Sequence, residues 1–214
     1  MGASKAADKG LLSVQRPDNL GAAPARQRLE QGNRHYCEDR MARPRGDRQR
    51  RQDVAQAQRP FATVLTCADS RVPPELIFDQ GLGDLFVVRV AGNVADPMVM
   101  GSIEYASLHL GVNLVVVMGH QSCGAVGAAV DNADFDGPAT HSHIDALIDA
   151  IKPAVHRAER RGATDLLERS IRENAIMVAD QIRGSEPVVA HLGSHGVQVT
   201  PAYYDLKSGQ VDWL

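Results

Sequence analysis

Two thiols, an imidazole and a carboxylate stand in two short segments of this 214-residue chain, Cys67-Ala68-Asp69-Ser70-Arg71 and His120-Gln121-Ser122-Cys123-Gly124. Thiolate sulfur and imidazole nitrogen suit a borderline-soft cation in a roughly tetrahedral site, and zinc is the ion such a set selects. Co²⁺ or Fe²⁺ would fit the same atoms. Each segment directly follows an apolar, β-branched run: FATVLT before Cys67 and NLVVVMG before His120. As strands of an open parallel sheet, the two runs would deliver both segments to the carboxyl edge, where ligands bind. Cys123 also precedes the small-residue run GAVGAAV, read as a helix start. A helix N-terminus lowers a thiol's pKa and favours the metal-binding thiolate. Taken singly, each residue has an ordinary explanation, a buried small hydrophobe for Cys and a satisfied polar group for His. It is their joint placement at equivalent strand ends that points to a metal. The third cysteine, Cys37, lies in an N-terminal helical stretch far from both segments and receives no role.

The elements that position these segments alternate strand and helix, which predicts an α/β fold with a mainly parallel central sheet flanked by helices. Strands are expected over 61–66, 84–90, 113–118, 187–191 and 197–204, with a turn at 205–209 and a hairpin partner at 211–214. Gly119 is expected to end the third strand. Helices are expected over 25–40, with Leu29 and Tyr36 as contacts, over 75–80 behind Pro73 and Pro74, and over 98–110 before Gly111. A helical region over 143–183 is expected to be interrupted at Pro153 and Gly162. Residues 1–24, rich in small and polar types, read as a flexible or wrapping N-terminal arm. Residues 25–214 read as one catalytic domain with C-terminal strands. The stretch 40–51 holds six arginines broken by Pro44 and Gly46, and reads as a solvated loop or a face paired with acids.

Composition narrows the partners. The chain has 23 Lys and Arg against 26 Asp and Glu, a net charge of −3, so electrostatics gives no reason to expect nucleic acid or an anionic membrane. Apolar residues make up 43% of the chain, enough for a substantial core. No apolar run approaches the roughly 18 to 20 residues of a membrane span. The first residues, MGASKAADKG, lack the apolar stretch of a secretory signal. Three irregularly spaced cysteines do not make a disulfide scaffold. The expectation is a cytoplasmic protein.

The pattern Cys-x-Asp-Ser-Arg followed by His-x-x-Cys-Gly resembles the β-class carbonic anhydrases, and so do VPPELIFDQGLGDLFVVRVAGN and GSIEYA. The similarity covers about residues 58–130 and extends more weakly to the C-terminal segments. It implies a lyase that hydrates carbon dioxide reversibly to bicarbonate and a proton, by attack of a zinc-bound hydroxide on CO₂. It implies one Zn²⁺ per chain on Cys67, His120 and Cys123, with Asp69 and Arg71 as a dyad beside the metal. Gln58, Phe86, Ala91, Tyr105 and Gly124 fall at substrate-pocket positions, Ala91 standing where some members carry a bulkier Val. Two thiolates formally cancel the zinc charge, so activity is expected to rise on the alkaline side of neutrality.

In the family a closed state also exists, in which Asp69 leaves Arg71 to become a fourth zinc ligand. The subgroup that favours it with bicarbonate carries Trp and Gly where this chain has Val64 and Thr66. The open form is therefore expected near neutral pH. The family forms homodimers that assemble to tetramers or octamers, and the N-terminal arm of this chain is expected to wrap a partner. His141 and His143 are candidates for passing protons to buffer. Two other functions fit the same residues: a CS₂ or COS hydrolase, and a zinc-stabilised non-catalytic binding module. The second is disfavoured because Gln58, Asp69 and Arg71 are all present.

Overall fold

The computed structural model describes residues 19–135, 137–185 and 196–214. The strand expected over 187–191, and residues 1–18 of the expected arm, lie outside them. Among the described residues five strands form one sheet: β1 (Ala62–Thr66), β2 (Leu85–Arg89), β3 (Leu114–His120), β4 (Gln198–Tyr204) and β5 (Val211–Trp213). Their order is β2-β1-β3-β4-β5. The first four run parallel, and β5 returns antiparallel to β4 as the expected hairpin partner. The central strands β1 and β3 are buried at every position, because helices cover both faces. This accounts for continuous apolar runs in place of alternation. Edge strand β2 is only half-buried over Leu85, Phe86, Val87 and Val88.

The helices are α1 (Ala22–Cys37), α2 (Arg48–Asp53), α3 (Pro74–Ile77), α4 (Pro97–His109), α5 (Gly124–Asp131), α6 (Ile144–Arg160) and α7 (Leu166–Arg183), with one 3-10 turn at Ala91–Asn93. Leu29 of α1 packs with Phe61, Val64, Phe78 and Val116 on one side of the sheet. On the other, Ile103 of α4 and Val178 and Ile182 of α7 pack against Leu65, Val115 and Val117.

Four of the differences from the sequence expectation have a clear local reason. Helix α1 spans Ala22–Cys37, starting ahead of Pro24, since proline is tolerated in a helix's first turn. It stops before Asp39, whose φ is +52°. Helix α6 runs unbroken through Pro153. The proline sits on the exposed side while Ile148, Ile151, Ala154, Val155 and Ala158 are buried on the other, so packing holds the helix and water can meet the carbonyl that proline frees. The break falls at Gly162, with φ +66°. Strand β3 continues through Gly119 to His120, pairing Gly119 with Tyr203 and His120 with Tyr204. A Cβ at position 119 would lie 3.0 Å from Ile171 Cγ2, so glycine here serves the close approach of α7 instead of ending the strand.

The amino edge of the sheet is tied by acids. Asp84, just before β2, accepts from Arg45 Nε at 3.0 and 2.7 Å, from Gly81 N at 2.8 Å and from Arg50 Nη2 at 3.4 Å, with Arg28 Nη2 at 3.2 Å. Asp79 accepts the amides of Ala42 and Arg43, both at 2.8 Å, beside His35 Nδ1 at 3.4 Å. Burial works against ionising Asp79, but these two amides and His35 outweigh it and hold the carboxyl below its ordinary value. Part of the arginine-rich stretch is thus a face paired with acids, and Asp47 caps the short helix α2 within it, accepting from Arg50 N at 2.8 Å. Buried Asn33 of α1 donates to Ile77 O at 3.1 Å and Gly209 O at 2.8 Å, and accepts from Val211 N at 3.0 Å.

A candidate metal centre at the carboxyl edge of the sheet

Strand β1 ends at Thr66, so Cys67 is the first residue beyond it, and the neighbouring strand β3 ends in His120. Gln121 and Ser122 then turn the chain, Ser122 taking φ +54°, and Cys123 stands at the N-cap of α5. All three side chains are buried, and their ligand atoms lie within 4.8 Å of one another. The two sulfurs are 3.9 Å apart. His120 Nδ1 faces the Gln121 carbonyl at 2.9 Å, so that nitrogen carries the proton and Nε2 keeps its lone pair. Nε2 is buried and has no hydrogen-bond partner among the described residues. A buried imidazole anchored through one nitrogen, with the other unpaired beside two thiols, fits a soft or borderline cation.

The sulfurs are electronically unequal. A hydrogen bond from Cys123 pulls the Cys67 thiol well below its ordinary pKa against the opposing effect of burial, with His120 and the Gly92 amide adding to it. Cys67 in turn pushes Cys123 up, and burial does the same. The Gly92 N–H reaches Cys67 Sγ at 3.3 Å. Gly92 has φ +71°, and a Cβ there would stand 2.6 Å from Ile151 Cδ1, so both conformation and space call for glycine.

Beside the sulfurs, Arg71 grips Asp69 through both carboxylate oxygens, Nε to Oδ1 at 2.9 Å and Nη2 to Oδ2 at 2.8 Å, and its own amide adds a bond of 2.9 Å to Oδ1. The Arg71 guanidinium holds the Asp69 carboxyl far below the usual carboxylate range. Asp69 Oδ2 stands 3.9 Å from His120 Nε2. Arg89 ties the loop from β2, with Nε donating to Cys67 O at 3.1 Å and Nη2 to Asp69 O.

Phe86 on β2 and Tyr105 on α4 approach with ring centroids 6.4 Å apart, and Tyr105 is 47% exposed and stacks on His109 at 5.0 Å. Gln58 is exposed in the loop before β1, Ala91 is half-buried at the start of the 3-10 turn, and Gly124 is exposed at the first position of α5. His141 and His143 are exposed before α6, and Cys37 is an exposed free thiol at the end of α1. Sequence reasoning missed Arg89 and Gly92 as contacts of the cluster. The signal for Arg89 was a lone cation at the end of the apolar run LFVVRV.

A mainly parallel sheet whose carboxyl edge gathers two thiols, an imidazole and an arginine-clamped carboxylate has the features implied by the motifs, and comparison with known proteins agrees. The sequence profile of the family described as carbonic anhydrase matches residues 62–211. The chain is 37% identical over 192 residues to carbonic anhydrase 2 of Mycobacterium tuberculosis, covering 90% of this chain and 92% of that protein. It is 36% identical over 194 residues to a carbonic anhydrase of Mycolicibacterium smegmatis, covering 91% and 94%. Among solved structures it resembles a β-carbonic anhydrase of Sordaria macrospora, one of two described as tetrameric, with TM-score 0.67, 26% identity and coverage of 76% and 84%. A Coccomyxa β-carbonic anhydrase in complex with acetazolamide aligns with TM-score 0.69, 26% identity and coverage of 86% and 83%. The chain belongs to the β-class carbonic anhydrase family. No helix among the described residues is long and apolar enough to cross a membrane.

Proposed function

We propose that this carbonic anhydrase hydrates CO₂ reversibly to bicarbonate and a proton with one zinc ion per chain, held by Cys67, His120 and Cys123. The observation that carries the reading is the buried, unpartnered His120 Nε2 within 4.8 Å of two thiol sulfurs. Zinc, when bound, would supply Lewis acidity and make water a nucleophile near neutral pH. Asp69, ionised and acceptor-only, would take a hydrogen bond from the reacting O–H at Oδ2 and so orient the attacking lone pair. Arg71 occupies both carboxylate oxygens, which keeps Asp69 from swinging in as a fourth ligand. Arg89 holds the backbone of Cys67 and Asp69 in register with that task. Gln58 would donate to a bicarbonate oxygen, while Phe86, Ala91 and Tyr105 give CO₂ an apolar surface and Gly124 leaves room beside Cys123.

These walls stand half open in a single chain. Phe86 lies on a half-buried edge strand, and Tyr105 and Gln58 are exposed. A second copy seated on this face would close the pocket, so the working unit is a homodimer or a larger assembly. The free thiols suit a reducing, cytoplasmic compartment. Stopped-flow CO₂ hydration on protein assayed for zinc, together with sedimentation, tests the reading. About one zinc per chain, a rate that rises above neutral pH and an oligomeric particle are expected. Full metal without hydration, or a fully active monomer, would overturn the corresponding part.

A further inference from the structure

Asn174 of α7 is fully buried, and it reaches the candidate centre through one intermediary. Its Nδ2 donates to Gly92 O at 2.8 Å, and its Oδ1 has no partner among the described residues. A buried amide with an empty acceptor is a liability for stability, and an apolar side chain would avoid it. The bond it does make falls on the residue whose N–H points at Cys67 Sγ from 3.3 Å. That residue and the next are both left-handed, Gly92 at φ +71° and Asn93 at φ +46°. Such a pair persists only where its surroundings enforce it. Two amides of α7, seven residues apart and so on one helix face, grip the loop: Asn174 at Gly92 O, and Gln181 at Ala95 O at 2.9 Å. Only the first acts on the residue that touches sulfur.

We propose that Asn174 is a positioning residue that holds the Gly92 carbonyl, aims the Gly92 N–H at Cys67 Sγ and thereby draws electron density from that sulfur when it ligates the metal. The proposal rests on Cys67, His120 and Cys123 being the metal ligands. Two thiolates donate heavily to a divalent cation, and a hydrogen bond to one of them tempers that donation and keeps the ion a stronger Lewis acid.

The test uses the full chain loaded with Co²⁺, whose sulfur-to-metal charge-transfer absorption reports the electron density on the thiolates. Asn174→Leu and Asn174→Asp are expected to move that band to longer wavelength and to lower hydration by about 10- to 100-fold. Gln181→Leu, which releases the same loop at Ala95, is expected to leave the band in place. Asn174 variants that lose stability while keeping the native band would overturn the proposal, because a merely structural amide behaves that way. If the Asn174 variants do not fold, the native chain loaded with an NMR-active cadmium isotope decides. Scalar coupling from the Gly92 amide proton through sulfur to cadmium supports the bond, and its absence overturns it. A native chain that shows no thiolate band with Co²⁺ would overturn the metal assignment itself, an outcome distinct from a native band that the variants fail to move.

Discussion

The sheet has charged groups at both of its edges, and they are finished differently. At the amino edge both oxygens of Asp84 and both oxygens of Asp79 are occupied, by arginines, backbone amides and His35. Asn33 of α1, against the turn between β4 and β5, likewise uses both amide hydrogens and its oxygen. At the carboxyl edge His120 Nε2 is buried with no hydrogen-bond partner among the described residues, beside the sulfurs of Cys67 and Cys123. A lone orphan atom says little, since the hydroxyls of Thr63 and Ser107 are also unpaired. An orphan that converges with other ligand atoms is different, because one particle from solution completes them all. Closed networks hold a fold together, and an open one marks where chemistry enters.

Substitutions that exchange these roles separate the two edges most sharply. His120→Ala should remove the metal, taking it from about one per chain to near none, and abolish CO₂ hydration while circular dichroism stays native. Metal analysis beside stopped-flow rates checks this. Asp69→Asn should keep the metal yet lower hydration by about 10²- to 10⁴-fold, since the neutral amide no longer presents an acceptor-only group. At the amino edge, Asp84→Ala should do the reverse. Urea unfolding should show a loss of about 3 kcal/mol, the low end for breaking a buried ion pair because the arginine heads stay partly wet, with the rate per folded molecule unchanged. Asp79→Asn should lower stability by on the order of 1 kcal/mol at pH 7. Because the folded pKa of Asp79 is depressed, that difference is present above the ordinary carboxylate range and shrinks as pH falls below it, which urea titrations at neutral and acid pH will show. Cys37→Ser should change neither metal content nor rate, and stability by less than about 0.5 kcal/mol.

Much of the carboxyl edge was readable in the sequence, because strand-ending motifs with unusual side chains announce both their chemistry and their position. Cys67, Asp69, Arg71, His120 and Cys123 lie within a few residues of short, β-branched apolar runs that mark the strands. The parts that were missed depend on tertiary approach. Gly119 looks like a strand terminator until Ile171 is seen lying against it. Pro153 looks like a helix breaker until the apolar face opposite it is seen to be buried. Asn174 has no signature at all, being an ordinary amide in a helix whose partner is 82 residues away. The short helix α2 was hidden inside a charge-rich stretch, where arginine content spoke louder than the Asp47 cap.

The three bonds of Asn33 also bear on how the chain is made. Its partners Gly209 and Val211 lie 176 and 178 residues downstream. A ribosome releases α1 early and must translate most of the remaining chain before those partners exist. Through that interval one amide hydrogen and the oxygen of Asn33 have only water for partners, so α1 lacks part of its final seat. Such distant pairing is slow to form. Helix α1 therefore completes its docking late, and a nascent chain stalled before residue 209 would hold it by fewer bonds.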